Sequence, residues 1–205
     1  MRYKKRIGLF FGSFNPIHIG HLAIANYAFA FGDFDEVWLV VSPHNPLKQK
    51  TMLADEKHRI AMAQIAIKNL ALPVNICDIE TRLPQPSYTI NTLETLDAEN
   101  SDCEFCIIMG ADSINSIEKW KNYSKILDTY KIYVYPRLGY DMKILCNKYN
   151  AELLNAPIID ISSTFIRENI SKGKNMNAFI SAEISRYINK NKLYENIEIK
   201  TENEL

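Results

Sequence analysis

The sequence predicts an α/β fold, namely a Rossmann-like parallel sheet with helices on both faces and a small C-terminal helical part. Short apolar runs alternate along the chain with longer segments of helical character, which is typical of strand–helix–strand units. The 205 residues, of which 47% are hydrophobic, are enough to bury a full core. Because no repeat or clear linker divides the sequence, we expect one domain over residues 1–194. Its C-terminal helical part lies at about 160–194, and a polar tail follows at 195–205.

Each element follows from its local pattern. The expected strands are apolar runs short enough to lie buried in a parallel sheet. The helices are longer, and the second of them repeats apolar side chains at Ile60, Ala63, Ile67 and Leu70, close to helical spacing. In chain order we expect strands at 6–11, 36–41, 74–76, 105–109 and 131–135, with a short sixth near 151–154. We expect helices at 21–31, 54–70, 89–99, 144–149, 163–170 and 178–189.

Composition argues against several classes of function. The 24 basic and 24 acidic residues cancel, so no net charge draws the chain toward nucleic acid or an anionic membrane. No apolar run approaches the ~20 residues of a membrane span. The basic residues 1–6 lead into an apolar run that soon meets Gly12 and Pro16, which favours a strand over a signal peptide. The four cysteines predict no disulfide scaffold, and Cys103 and Cys106 are expected core thiols of a protein in a reducing cytoplasm.

The most informative run is Gly-Ser-Phe-Asn-Pro-Ile-His-Ile-Gly-His, residues 12–21. It joins the first strand to the first helix, where free backbone amides and the positive helix end bind anions. Gly12 permits a sharp turn or a close ligand. His18 and His21 are three apart and share one face of the first helical turn, so both imidazoles can donate to polyphosphate oxygens. A zinc site would need about four ligands, and no nearby Cys or His supplies the others.

A second candidate anion site is the run Asp-Ile-Ser-Ser-Thr-Phe-Ile-Arg-Glu, residues 160–168. Ser162, Ser163 and Thr164 predict a helix N-terminus. Arg167 follows one turn later on the same face, where an arginine forms a strong anion clamp. Taken alone, the run is equally consistent with an ordinary helix cap and a solvated arginine. The first candidate site favours the phosphate interpretation.

Together the two runs resemble the two signatures of the nucleotidyltransferase superfamily that carries a His-x-Gly-His motif. Members of that superfamily join a nucleotide to a phosphate or phosphonate acceptor and release pyrophosphate. The resemblance implies that His18, His21 and Arg167 are catalytic and that no protein side chain binds a metal. Mg²⁺ would be bound mainly through the phosphates of ATP. The ATP contacts implied by the resemblance are Gly12, Ser13, Phe14, His18, His21, Gly110, Asp112, Ile161, Ser163, Thr164 and Arg167.

Further segments narrow the resemblance to bacterial nicotinate-mononucleotide adenylyltransferases, over about residues 6–194. Gly110-Ala-Asp-Ser followed by Trp120 is similar to a Gly-x-Asp…Trp segment of that family, and Pro-Ser-Tyr-Thr at 86–89 to its loop around the nicotinate ring. Residues 43–48 are similar to its loop after the second strand, whereas Phe11 departs from a frequent Gly. Spacing alone is equally consistent with Trp120 in the core. The mononucleotide contacts implied by the resemblance are Asn15, His44, Lys48, Tyr88, Thr89 and Trp120.

The implied reaction transfers the adenylyl group of ATP to nicotinate mononucleotide, giving nicotinate adenine dinucleotide and pyrophosphate in NAD biosynthesis. No nucleic-acid or membrane partner is expected, and a homo-oligomer is compatible with the sequence. Two alternatives remain open: another transferase of the superfamily, such as pantetheine-phosphate adenylyltransferase, and a non-catalytic nucleotide-binding protein on the same fold. Class I aminoacyl-tRNA synthetases also carry His-Ile-Gly-His, but their Lys-Met-Ser-Lys-Ser element is missing here.

Overall fold

The centre of the protein is a six-stranded parallel sheet. The computed structural model describes residues 3–43, 53–68 and 70–195. The strands are ordered β3-β2-β1-β4-β5-β6, and every neighbouring pair is parallel. The order reverses between β1 and β4, which confirms the Rossmann-like class and opens a crevice at the carboxyl ends of these strands. The strands are Lys5–Gly12 (β1), Glu36–Val41 (β2), Val74–Cys77 (β3), Cys103–Gly110 (β4), Lys131–Tyr135 (β5) and Glu152–Leu153 (β6).

Eight α-helices accompany the sheet in the described ranges. All six expected helices are present, and α3 has the expected bounds. The third-strand and fourth-strand connections also contain one 3-10 turn each, at Ile79–Thr81 and Ile117–Lys119. The helices are Ile19–Phe31 (α1), Glu56–Ile67 (α2), Thr89–Glu99 (α3), Ala111–Asn115 (α4), Tyr123–Thr129 (α5), Met142–Tyr149 (α6), Ser163–Ser171 (α7) and Ala182–Lys190 (α8).

Two helices, α4 and α5, were not expected from the sequence. They have five and seven residues, too few for the apolar spacing of a helix to repeat. Each is held by tertiary packing instead, because Ile114 of α4 and Ile126 of α5 are fully buried against the sheet. The stretch after β4 is therefore helical rather than an open loop.

The sheet is covered on both faces, as expected. Alternating strand residues point to opposite sides, so Phe10 and Ile108 join one core while Leu9 and Ile107 join the other. Helices α1, α2, α7 and α8 cover the first face, and α3 to α6 cover the second. Cys106 is fully buried within β4, and Cys103 is partly exposed at its start; both thiols are free, as expected.

A buried arginine joins the loops at the carboxyl edge of the sheet. Arg59 of α2 is 1% exposed, and its guanidinium donates to the carbonyls of Ser13 (2.8 Å), Ser42 (2.6 Å) and Pro43 (2.9 Å). A fourth bond, to the carbonyl of Ala54, measures 3.0 Å. Arg59 therefore fastens the segments after β1 and β2 to the start of α2. No helix in the described ranges is long and apolar enough to cross a bilayer.

Candidate active site

The two histidines of the first motif form a capping box at the start of α1. His18 is the N-cap residue, and its Nδ1 accepts from the amide of Gly20 at 3.2 Å. His21, three residues later, accepts from the amide of His18 through its own Nδ1, also at 3.2 Å. The two rings lie against each other with their centroids 3.8 Å apart. Because both Nδ1 atoms accept, each neutral ring carries its proton on Nε2.

This arrangement corrects two details of the expectation. The helix begins at Ile19 rather than at residue 21, since His18 serves as its cap. The first amides of α1 are also already bonded within the protein: Ile19 donates to the carbonyl of Phe179 at 2.9 Å, and Gly20 donates to His18. The helix end therefore presents two imidazole rings rather than free backbone amides.

His18 is neutral over the physiological pH range. The side chain is 4% exposed, and burial lowers its pKa to about 4, with a further contribution from the positive charge of Arg137. A neutral imidazole with its proton on Nε2 is a hydrogen-bond donor that does not change charge near pH 7. His18 can therefore contact an anionic ligand without a protonation step.

The low pKa of His18 predicts an acid-sensitive fold. The unfolded chain binds a proton at His18 near pH 6.5 and the folded chain only near pH 4, so stability is lost as the pH falls between these values. From pH 7 to pH 4.5 this one group should lower the free energy of unfolding by about 2 kcal/mol. Urea titrations of the wild type and of His18→Asn, which keeps a capping side chain, measure the effect as a difference between the two proteins. Equal pH dependence in both would contradict it.

The loop between β1 and α1 is tightly built. Phe14 has a left-handed backbone with φ of 44°, and its side chain is 1% exposed. Its ring packs edge-on against His21 with a centroid distance of 5.1 Å. A Cβ at Gly12 would lie 2.8 Å from this ring, so glycine is required there by the fold of the loop itself. The amides of Ser13 and Phe14 donate to no acceptor within the described part of the chain.

The second motif holds this loop from below. Ser162 caps α7, and the hydroxyl of Ser163 donates to the carbonyl of Pro16 at 3.0 Å. Arg167 donates to the carbonyl of Asn15 at 2.8 Å and to Thr164 Oγ1 at 3.2 Å. The arginine is 7% exposed, so it lies beneath the loop rather than in open solvent on the helix face. Its buried Nε has no partner among the described residues.

Asn15 is also held by the protein. The side chain is 3% exposed, and its Oδ1 accepts from the amide of Ala54 at 3.2 Å and from the hydroxyl of Tyr194 at 2.8 Å. Tyr194 follows α8, so the far end of the domain reaches back to the first motif. The sequence does not signal this contact, because 179 residues separate its partners.

A small cleft opens beside the histidine pair. His18, His21 and Ile161, all expected at the site, line it together with Arg137, which sequence reasoning missed. Arg137 follows β5, lies 5.2 Å from the ring of Tyr135, and approaches Asp112 Oδ1 with its Nε at 3.8 Å. A Cβ at Gly110 would lie 2.4 Å from Asp112 Oδ1 and 3.1 Å from the ring of Tyr135. The lining residues are Phe10, His18, Gly20, His21, Ile24, Tyr135, Pro136, Arg137, Ile159 and Ile161.

Two of the six expected mononucleotide residues, Tyr88 and Thr89, lie at the start of α3. Tyr88 is its N-cap residue and Thr89 its first residue, and no side chain in the described ranges caps this end. Lys121 Nζ lies 4.4 Å from the centroid of the Tyr88 ring, which brings the Trp120–Lys121 segment beside α3. Trp120 is partly buried and packs against the second core, so both of its expected roles remain compatible with its position. His44 and Lys48 lie outside the described residues.

Comparison with known proteins identifies relatives along nearly the whole chain. The cytidylyltransferase-like family model matches residues 9–169. A protein of Flavobacterium psychrophilum named "Probable nicotinate-nucleotide adenylyltransferase" is 47% identical over 191 residues, covering 92% of this chain and 98% of the relative. A protein of the same name from Bacteroides fragilis is 41% identical, covering 90% and 92%.

A solved structure has the same fold. The nicotinic acid mononucleotide adenylyltransferase of Plasmodium falciparum, complexed with NaAD, superposes with a TM-score of 0.81 at 24% identity, covering 93% of this chain and 97% of that one. The same protein complexed with APC gives a TM-score of 0.78 at 22% identity, covering 93% and 97%. The common fold includes the strand reversal at which the cleft lies.

Proposed function

This chain belongs to the family of nicotinate-nucleotide adenylyltransferases, and on that premise we propose that it transfers the adenylyl group of ATP to nicotinate mononucleotide. The observation that carries the proposal is the stacked pair of histidines, which caps α1 at the carboxyl end of β1 and lines the cleft with Arg137. The products are nicotinate adenine dinucleotide and pyrophosphate, a step of NAD biosynthesis.

In this reaction the protein has to align the two substrates and stabilise the charge that develops on the phosphates. A phosphate oxygen of the mononucleotide attacks the α-phosphorus of ATP and forms the new P–O bond. The bond from that phosphorus to the bridging oxygen of the β-phosphate breaks, and its electron pair leaves with pyrophosphate. Since the nucleophile is already ionised, no protein nucleophile or general base takes part, and catalysis consists of alignment and stabilisation of developing charge.

Several donors are proposed to hold the ATP phosphates. The Nε2–H groups of His18 and His21 would donate to the phosphates, with His21 nearest the α-phosphoryl group. The amides of Ser13 and Phe14 would add neutral donors from the loop. Arg137 would place a cation at the cleft wall beside Asp112, which is the proposed contact of the ribose. Arg167 would act on the leaving pyrophosphate with Ser163 and Thr164, or through the Asn15 carbonyl that it holds.

The nicotinate end is proposed to bind at the start of α3. The amides of Tyr88 and Thr89 lie at an uncapped helix N-terminus, which favours a carboxylate. Trp120 would stack on the pyridine ring. Asn15, His44 and Lys48 complete the proposed mononucleotide contacts. A carboxylate fits these donors better than a neutral amide does, which is the proposed basis for preferring nicotinate to nicotinamide mononucleotide.

Mg²⁺ is the proposed metal. No group of three acidic, histidine or cysteine side chains in the described ranges is arranged to hold an ion. Mg²⁺ needs no such group, because it keeps several water ligands and would be bound mainly by the phosphate oxygens of ATP. The ion would neutralise charge on the triphosphate, and the histidines and Arg137 would orient the triphosphate.

The setting of the reaction is also proposed. Free thiols at Cys77, Cys103, Cys106 and Cys146 suit the reducing cytoplasm, where ATP and the mononucleotide are available. The partners are these two small molecules, without nucleic acid or membrane, and the chain acts alone or as a homo-oligomer.

An acceptor panel tests the function. Pyrophosphate release from ATP is measured with nicotinate mononucleotide, with 4′-phosphopantetheine and with no acceptor. Release that depends on nicotinate mononucleotide is expected. Dependence on phosphopantetheine would favour the other superfamily transferase, and tight ATP binding without release in any arm would favour a non-catalytic nucleotide-binding protein.

A further inference from the structure

Glu80 is the only acidic side chain in the described ranges that is almost fully buried, at 2% exposure. It lies in the 3-10 turn Ile79–Thr81, directly after β3 and at the same edge of the sheet as the cleft. Burial raises the pKa of its carboxyl, and hydrogen bonds from neighbouring hydroxyls oppose that effect. Burying a carboxyl group is unfavourable unless its oxygens are well bonded. None of the steps of adenylyl transfer above uses this group.

The carboxyl group of Glu80 bonds residues on both sides of the start of α3. Its Oε1 accepts from Thr92 Oγ1 of α3 at 2.8 Å, and its Oε2 accepts from Ser87 Oγ at 3.2 Å. The turn that carries Glu80 packs against β2, which ends at Val41. One side chain beside β2 therefore links the segment before α3 to the first turns of α3.

The backbone of Glu80 holds the same loop a second time. Gln85 Nε2 donates to the carbonyl of Glu80 at 3.2 Å, and the amide of Ser87 donates to Gln85 Oε1 at 3.3 Å. The next two residues are Tyr88 and Thr89, whose amides are the proposed nicotinate contacts. Because Ser87 and Thr92 flank these two residues in sequence, the Glu80 carboxyl group restrains the uncapped start of α3 from both sides.

We infer that Glu80 is a positioning residue for the mononucleotide: it fixes the Tyr88 and Thr89 amides by accepting hydrogen bonds from Ser87 and Thr92, which lie on either side of them in sequence. This inference rests on the proposed function, because it assigns these amides to the nicotinate carboxylate. Glu80 would thus influence the affinity for the acceptor without contacting either substrate.

An ionised carboxylate suits this place because it is acceptor-only and can bind several donors at once. Glutamine has nearly the same shape but presents an NH₂ group, so at least one hydroxyl must turn from donor to acceptor. The fold keeps its core under this change, whereas the loop before α3 loses one of its charge-assisted bonds. The effect should therefore fall on the mononucleotide and leave ATP unaffected.

Steady-state kinetics of Glu80→Gln test the inference. We expect KM for nicotinate mononucleotide to rise about tenfold, the loss that corresponds to one hydrogen bond to a charged group. KM for ATP should stay within about twofold of wild type, and the preference for nicotinate over nicotinamide mononucleotide should fall. Glu99→Gln is the matched control, because Glu99 makes an exposed ion pair with Arg82 and should leave both KM values unchanged.

A pair of variants at the partner residue makes the test independent of Glu80 itself. Thr92→Val removes the donor to Glu80 and should raise KM for the mononucleotide, whereas Thr92→Ser keeps a hydroxyl and should restore it. A purely structural role would lower thermal stability in the valine variant without separating the two substrates. This pair decides the matter if Glu80→Gln fails to fold.

The possible failures are distinguishable. A wild-type protein that makes no dinucleotide would overturn the proposed function and this inference with it. A productive wild type, with KM for both substrates raised equally or unchanged in Glu80→Gln and Thr92→Val, would overturn this inference alone.

Discussion

Replacing His21 with alanine should lower the turnover number by about 10²–10³-fold, the usual effect of removing one hydrogen-bond donor to a transition state. The ring of His21 lines the cleft, and its Nδ1 is occupied by the amide of His18, so its proton is on Nε2. We expect that proton to face the α-phosphoryl group, where charge develops as pyrophosphate leaves. The measurement is the rate of pyrophosphate release at saturating ATP and mononucleotide.

His21 also takes part in the cap of α1. A second variant is therefore needed to separate its capping role from its proposed catalytic role. His21→Asn places an oxygen near the position of Nδ1, which preserves the acceptor for the His18 amide, but it has no group at Nε2. It should fold like the wild type and be as slow as the alanine variant. His58→Ala is the matched control, since His58 bonds the hydroxyl of Tyr187 on the covered face of α2 and should leave the rate unchanged. Normal turnover in folded His21→Asn would remove His21 from the mechanism.

The second large effect concerns the acceptor. Nicotinate mononucleotide should exceed nicotinamide mononucleotide in kcat/KM by about a hundredfold or more, because hydrogen bonds to a charged group contribute about 1.5–3 kcal/mol each and two amides are available. The donors are the N–H groups of Tyr88 and Thr89 at the uncapped start of α3. The measurement is kcat/KM for each mononucleotide at saturating ATP.

Trp120 provides the internal control for that comparison. Its ring is proposed to stack on the pyridine of either mononucleotide, and stacking is less sensitive to the difference between acid and amide. Trp120→Ala should therefore lower kcat/KM for both acceptors while the ratio between them stays high. Equal efficiency for acid and amide in the wild type would contradict the proposed pocket, even if adenylyl transfer itself took place.

The strand pattern of the fold could be predicted well from sequence. A buried parallel strand is a short apolar run, and the runs at 36–41 and 131–135 have the bounds of β2 and β5. Helix α3 likewise has its expected bounds. Helices α4 and α5 could not be found in this way, because a helix of five or seven residues has no room for a repeating pattern and depends on packing.

The motifs of the candidate site could be predicted from the sequence, but the hydrogen bonds between their residues could not. The spacing of His18 and His21 indicates a common face, yet their use as a mutual cap at the helix start depends on backbone geometry. Arg167 was expected to face an anion, and its burial beneath the Asn15 carbonyl results from long-range packing. Arg59, Arg137 and Tyr194 carry no motif of their own and act through contacts with distant segments.

Glu80 illustrates the same limit. The acidic residue after β3 lies in a polar stretch that looks solvated in sequence. Only the three-dimensional arrangement brings Ser87 and Thr92 to its carboxyl group. A sequence signal could have come only from a comparison of many relatives at these three positions together.

In the proposed reaction the acceptor phosphate attacks the α-phosphorus of ATP. The most direct measurement follows ATP labelled at the α-phosphate during incubation with the protein, Mg²⁺ and nicotinate mononucleotide. We expect all transferred label to enter nicotinate adenine dinucleotide, with one unlabelled pyrophosphate released for each dinucleotide formed. Label recovered in ADP or free AMP, without a labelled dinucleotide, would contradict it.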